Sequence, residues 1–267
     1  MKTSTKIASG LVLMLVSSAA MAAIGLTKHN LGSGTNNTRG ARGNVFDGTS
    51  EICVFCHTPH GSNTAAAAPL WNRNLTATSA YTTYSTLGTS TLDGAEVEVG
   101  SVSIACLSCH DGTQAFNSVI NSPGSGIKLG QLGPMTGAWS EFSNFTSAST
   151  VEPDKFFWIG TDLTNDHPIG IQYGGGPGTQ PNGYRDADFV TAATTVTGNG
   201  RTVYFVDVNA NTTREKTDLP LYGRGANGAA DQYVECASCH DPHTESTLFL
   251  RRGGNQGSIT CLSCHTK

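Results

Sequence analysis

Hydrophobic positions follow three short patterns along this chain, and most of the sequence follows none. The first is an apolar run from Ile7 to Val16, preceded by Lys2 and Lys6 and followed by small residues ending in Ala20-Met21-Ala22. A basic start, a short apolar run and an Ala-x-Ala ending predict an export signal over residues 1–22, with the mature chain beginning at Ala23. The run is shorter than the roughly 20 residues of a membrane span. No later segment is apolar enough to form one, so no membrane span is expected. The second pattern is alternation: Glu96-Val-Glu-Val-Gly-Ser-Val-Ser-Ile104 reads as a strand. The third is a pair of Val/Thr-rich arms around Gly198-Asn199-Gly200, which predicts a β-hairpin over residues 189–208. Elsewhere the chain reads as loop. Residues 76–91 are rich in Ser and Thr, which suits an exposed segment, either glycosylated or simply solvated. Residues 111–166 are rich in Gly, Ser, Pro and Asn, and predict an irregular sheath.

Composition sharpens this picture. Removing 22 of the 267 residues leaves 245, enough for one large domain or two small ones. The net charge of −4 becomes −6 once Lys2 and Lys6 are lost. Only 13% of residues are charged and no basic cluster appears, which argues against nucleic acid as a partner. Glycine is abundant at 32 residues while aromatic residues make up only 7%. A chain this poor in large apolar side chains needs something else to fill its interior.

The cysteines say what that is. All eight fall into pairs two residues apart, Cys53/Cys56, Cys106/Cys109, Cys236/Cys239 and Cys261/Cys264. Each pair is followed at once by histidine: His57, His110, His240 and His265. Cys-x-x-Cys-His is the attachment motif of c-type haem. Two thiols at that spacing each form a thioether with one vinyl group of the macrocycle, and the adjacent imidazole reaches the iron. Disulfides, the usual fate of cysteine in an exported chain, do not account for this order. Zinc sites built from the Cys-x-x-Cys units leave the four histidines unexplained, and no βαβ pattern supports thioredoxin-like chemistry. Four covalently bound haem c groups are therefore expected.

Each iron then has one axial position left, and its occupant separates an electron carrier from an enzyme. The chain holds eight histidines, so four remain: His29, His60, His167 and His243. Methionine hardly competes, since only Met135 survives removal of the leader. Histidine on both faces saturates the iron and lacks the methionine sulfur that raises the potential of many small cytochromes. Low potentials and little redox catalysis are expected. His60 and His243 stand in the repeated form Cys-x-x-Cys-His-x-Pro-His, three residues after His57 and His240. Neither reaches around to the far face of its own haem, so each is expected to serve a neighbouring one.

These features recur in order. His29, Cys53-Val-Phe-Cys56-His57-Thr-Pro-His60 and Ser-Ile-Ala-Cys106-Leu-Ser-Cys109-His110 make the first set. His167, Cys236-Ala-Ser-Cys239-His240-Asp-Pro-His243 and Ser-Ile-Thr-Cys261-Leu-Ser-Cys264-His265 make the second. Two related two-haem modules follow, residues 23–150 and 151–267, which are not expected to fold independently. By this logic His60 pairs with His110 and His243 with His265, while His29 and His167 serve the haems at Cys53/Cys56 and Cys236/Cys239. The expected class is a multihaem cytochrome c: mostly irregular loops, with short helices at the motifs and a few short β-strands, wrapped around a chain of four haems.

The near N-terminal Lys-His29-Asn, the Cys53-to-His60 motif and the terminal Cys261-Leu-Ser-Cys264-His265 resemble the tetrahaem outer-surface cytochromes of metal-reducing bacteria. That family polymerises into extracellular cytochrome filaments. The resemblance implies a continuous haem chain with alternating parallel and T-shaped contacts. It also implies other copies of the chain as partners, with one axial histidine supplied by the neighbouring subunit, for which His29 is the candidate. Outer-membrane or periplasmic cytochromes are the implied donors, and the cell surface or extracellular space the implied location. A soluble periplasmic shuttle is the alternative. A terminal reductase is a third reading, and it needs one spare histidine to be a non-ligand.

Overall fold

A computed structural model describes residues 24–32, 45–46, 49–88, 94–116, 118–122, 124, 135–136, 157–176, 185–196, 200, 202–224 and 232–266. The export signal called for by the first 22 residues lies outside these, as does the module boundary near residue 150. Regular structure is sparse. Three α-helices are described: α1 (Ser103–His110), α2 (Cys236–Cys239) and α3 (Cys261–Cys264). Several single 3-10 turns accompany them, one at Cys53–Phe55. Among the described residues no helix is long and apolar enough to cross a membrane.

Strands β1 (Val45–Phe46) and β2 (Met135–Thr136) pair with each other. The other five form one antiparallel sheet: β3 (Ile171–Gln172), β4 (Ala193–Val196), β5 (Thr202–Val206), β6 (Leu219–Gly223) and β7 (Gln232–Val234). Their order is β3-β7-β6-β5-β4. β4 and β5 are the hairpin arms expected around Gly198-Asn199-Gly200, with Val196 opposite Thr202. The run from Glu96 to Ile104 behaves differently from the expected strand. Glu96 makes only an isolated bridge to Ile171, and the chain turns into α1 at Ser103. Four residues of alternation are too few to hold a strand once a helical turn is needed for the next cysteine pair.

Small clusters replace a single large core. One gathers Trp71, Tyr81, Val99, Ile104 and Leu107. A second gathers Leu31, Phe55 and Phe116, with Cys56 and Cys109 packed against it. The third lies under the sheet and includes Tyr173, Val206, Leu219 and Leu221, with Cys264 against it.

The two halves of the chain are stitched together. Val97 N–H donates to Gly170 O (2.9 Å), Gly170 N–H to Val234 O (2.8 Å) and Gln172 N–H to Ala95 O (2.8 Å). Gly170 has φ +67°, and a Cβ there would meet Val97 O at 2.8 Å, so both conformation and space call for glycine. Deeper in, the buried Glu235 accepts from Ser103 Oγ and from Arg224 Nη1 (2.8 Å), while Cys236 N–H donates to Ser103 Oγ (2.9 Å). One hydroxyl thus links the start of α1 to the start of α2.

Candidate haem attachment sites

Each cysteine pair occupies one helical turn. On such a turn residues i and i+3 share a face, so both thiols of a pair point the same way. The turns are closed alike: His57 N–H donates to Cys53 O (2.7 Å), His240 N–H to Cys236 O (3.0 Å) and His265 N–H to Cys261 O (2.9 Å). His240 and His265 then leave the helix in extended conformation, at ψ 139° and 137°, which swings their rings off the helix axis. The α2 turn is preorganised by a capping box in which Glu235 and Ser238 each accept from the other's backbone. None of the eight cysteines is in a disulfide.

The imidazoles are oriented by backbone carbonyls. Nδ1 of His57 bonds Pro69 O (2.6 Å), that of His110 bonds Phe157 O (2.8 Å) and that of His240 bonds Leu248 O (2.7 Å). A carbonyl only accepts, so these contacts put the proton on Nδ1 and leave the Nε2 lone pair free for a metal. His167 makes the same kind of bond to Pro168 O (3.0 Å). Burial first, then the neighbouring His110, presses the His29 ring down to about 4, so it is neutral and able to ligate.

Two pairs of imidazoles stand about 6 Å apart, a spacing that would also admit an ion between them. His29 and His110 have centroids 6.2 Å apart, and His57 and His243 have centroids 6.3 Å apart. An ion between two imidazoles sets such a distance: two metal–nitrogen bonds of about 2 Å, plus roughly 1 Å from each nitrogen to its ring centre, give roughly 6 Å. A direct stack is much closer, as His29 on Phe249 illustrates at 4.2 Å and 7°. His167 and His265 lie within each other's electrostatic field. His60 and His240 are both exposed, and His240 lies within electrostatic reach of His29 and His110.

The ring neighbours differ from the pairing expected from the repeat. His29 faces His110 rather than His57, and His243 faces His57 rather than His265. The halves interlock through α1 and α2, so the neighbour of a motif is set by tertiary packing and not by its place in the repeat. The residue between histidine and proline also differs. Asp241 accepts from His243 N–H (3.0 Å) and lies 3.4 Å from its Nδ1. In the first motif Thr58 instead donates to His60 O (3.1 Å), as does Asn121 Nδ2 (2.8 Å), which pins that backbone outward.

The motifs follow one another in space in the order of the chain. Cys56 and Cys109 pack on one cluster, and Cys106 with Cys236 and Cys239 with Cys261 are electrostatic neighbours. Sequence reasoning missed the residues that support this arrangement, among them Pro69, Phe157, Leu248, Phe249 and Arg73. The carbonyls carry no side-chain signal, and Arg73 lies in no motif. Among the described residues no three His, Cys, Asp or Glu side chains converge on a metal-sized site.

A family model described as the doubled CXXCH motif matches residues 228–267, the stretch carrying the last two motifs. Comparison with curated proteins finds no match. The match and the local geometry agree on covalent haem c attachment of the c-type cytochrome kind.

Proposed function

We propose that the protein carries electrons through four bis-histidine c-type haems and assembles with copies of itself into an extracellular filament. The observation that supports this reading is the close packing of Cys-x-x-Cys-His turns, Cys56 with Cys109 on one cluster and α1 against α2, with imidazoles in two facing pairs. The haem supplies a one-electron ferric/ferrous couple. The chain's part is to hold, orient and insulate. Cysteine pairs anchor each macrocycle, carbonyls fix the proximal rings, and second imidazoles close the irons to substrate. That favours a carrier over a reductase. The interlocked halves make one folding unit.

His60 takes over the bridging role that the family resemblance suggests for His29. His29 already faces His110 within its own chain, whereas the exposed His60 faces no other histidine ring among the described residues. His60 of one copy would then ligate an iron of the next. The test is electron microscopy of the secreted fraction with haem counting by mass. Wild type should give filaments of four-haem subunits, and His60→Ala should give discrete particles in which one reduced haem binds carbon monoxide. Discrete wild-type particles would instead support a periplasmic shuttle.

A further inference from the structure

Arg73 is fully buried, at 0% exposure, and no acidic side chain pairs with it among the described residues. Its fork is held by three carbonyls: Nη1 donates to Phe116 O (2.7 Å), and Nη2 to Ser108 O (3.0 Å) and Ala115 O (2.8 Å). Nε has no partner. Burying a cation without a counter-charge is costly, and a neutral amide would serve to bond carbonyls. The charge itself calls for an explanation.

Its position supplies one. Phe116, whose carbonyl it binds, belongs to the cluster on which Cys56 and Cys109 pack. The adjacent Asn72 N–H donates to Cys56 O (2.8 Å), and Ser108 precedes Cys109. The cation therefore lies at the junction of the first two motifs. Asp111 lies buried next to His110 with its carboxylate filled by Thr76, Tyr81 and Thr113. Asn72, the chain neighbour of Arg73, is hydrogen-bonded to Cys56 of the first motif, whereas the buried Asp111 stands next to His110 of the second.

We infer that Arg73 raises the reduction potential of the haem attached at Cys53/Cys56 above that of the haem attached at Cys106/Cys109, so that of these two the first is where electrons settle. This rests on the haem assignment proposed above. Reduction adds one electron to a ferric centre and removes one positive charge, so a fixed buried cation favours the reduced form. Little water is present to screen it. Asp111 cancels much of the effect at the second haem.

Spectroelectrochemical titration of Arg73→Gln and Arg73→Lys in the full chain tests the inference. The glutamine variant should lower the potential of one haem by at least a tenfold change in its redox equilibrium, about 59 mV for one electron. The lysine variant, which keeps charge but loses the fork, should stay near wild type. Equal shifts in both, or none in either, would overturn the inference and leave Arg73 a structural tie. Wild type offers a check that needs no variant: resolved haem-methyl NMR signals during reduction should show the Cys53/Cys56 haem reducing before the Cys106/Cys109 haem, and the reverse order overturns it. A wild-type protein that fails to carry four haems would instead sink the underlying assignment.

Discussion

The imidazoles of His57 and His243 come from opposite halves of the chain, yet their centroids lie 6.3 Å apart with planes within 19°. This relationship joins the first cysteine motif to the Asp-Pro-His segment of the third. Under the ligation proposed above, a haem attached in the first half would depend on the second half of the chain.

Replacing His243 should therefore be felt at the Cys53/Cys56 haem, not at its sequence neighbour Cys236/Cys239. His243→Ala is expected to convert one haem from six-coordinate low-spin to a form that binds carbon monoxide when reduced, measured by visible and magnetic-resonance spectra. His243→Met should keep six ligands and raise one potential, because thioether sulfur favours ferrous iron. Unchanged coordination in His243→Ala would remove the pairing.

His29→Ala should open the haem at Cys106/Cys109 within the same subunit and leave assembly intact. The expected result is one carbon-monoxide-binding haem in filaments of normal appearance. Loss of filaments with unchanged haem spectra would return the bridging role to His29.

Asp241 is pulled down to about 2, first by its hydrogen bond to His243 and further by Arg251. Its folded value lies below the ordinary 3.8, so the stability it contributes is present above that value. That contribution is lost as pH falls toward 2. Asp241→Asn should flatten the acid-side decline of the thermal midpoint over this window, and it should loosen His243 enough to weaken axial ligation.

Asn72 is fully buried and ties three strands of loop together. Its Nδ2 donates to Val54 O (2.6 Å) and Asn121 O (3.0 Å), and its Oδ1 accepts from Asn121 N–H (2.9 Å). Asn72→Ala leaves those groups unsatisfied beside the first motif, a cost of about 3 kcal/mol or more. Asn72→Leu should be no better, since apolar volume does not replace the lost partners. Thermal melts of the haem-loaded variants check both.

Breaking the Glu235–Arg224 pair should be similarly severe. Their side chains are 0% and 16% exposed, and Glu235 also holds Ser103 at the start of α1. Glu235→Ala strands the cation and is expected to cost about 3–5 kcal/mol. An Arg224→Met, Glu235→Met double variant should recover part of that loss, read by the same melts.

The attachment chemistry was legible from the chain because it is local. Two thiols and an imidazole within five residues need only one helical turn to act together, and all four motifs adopt one. The hairpin around Gly198-Asn199-Gly200 was legible for the same reason. Which imidazole meets which depends on contacts between segments far apart in sequence, and no repeat encodes them. His60 and His243 occupy equivalent positions, yet only His243, steered by Asp241, faces a ring across the molecule. Arg73 could not be read from sequence at all, because a buried cation is recognisable only once three carbonyls have closed around it. Linear spacing determined what the protein attaches; tertiary packing decided how those sites are ordered and which imidazoles meet, because an iron's two axial partners must arrive from opposite sides and one short segment supplies only one of them.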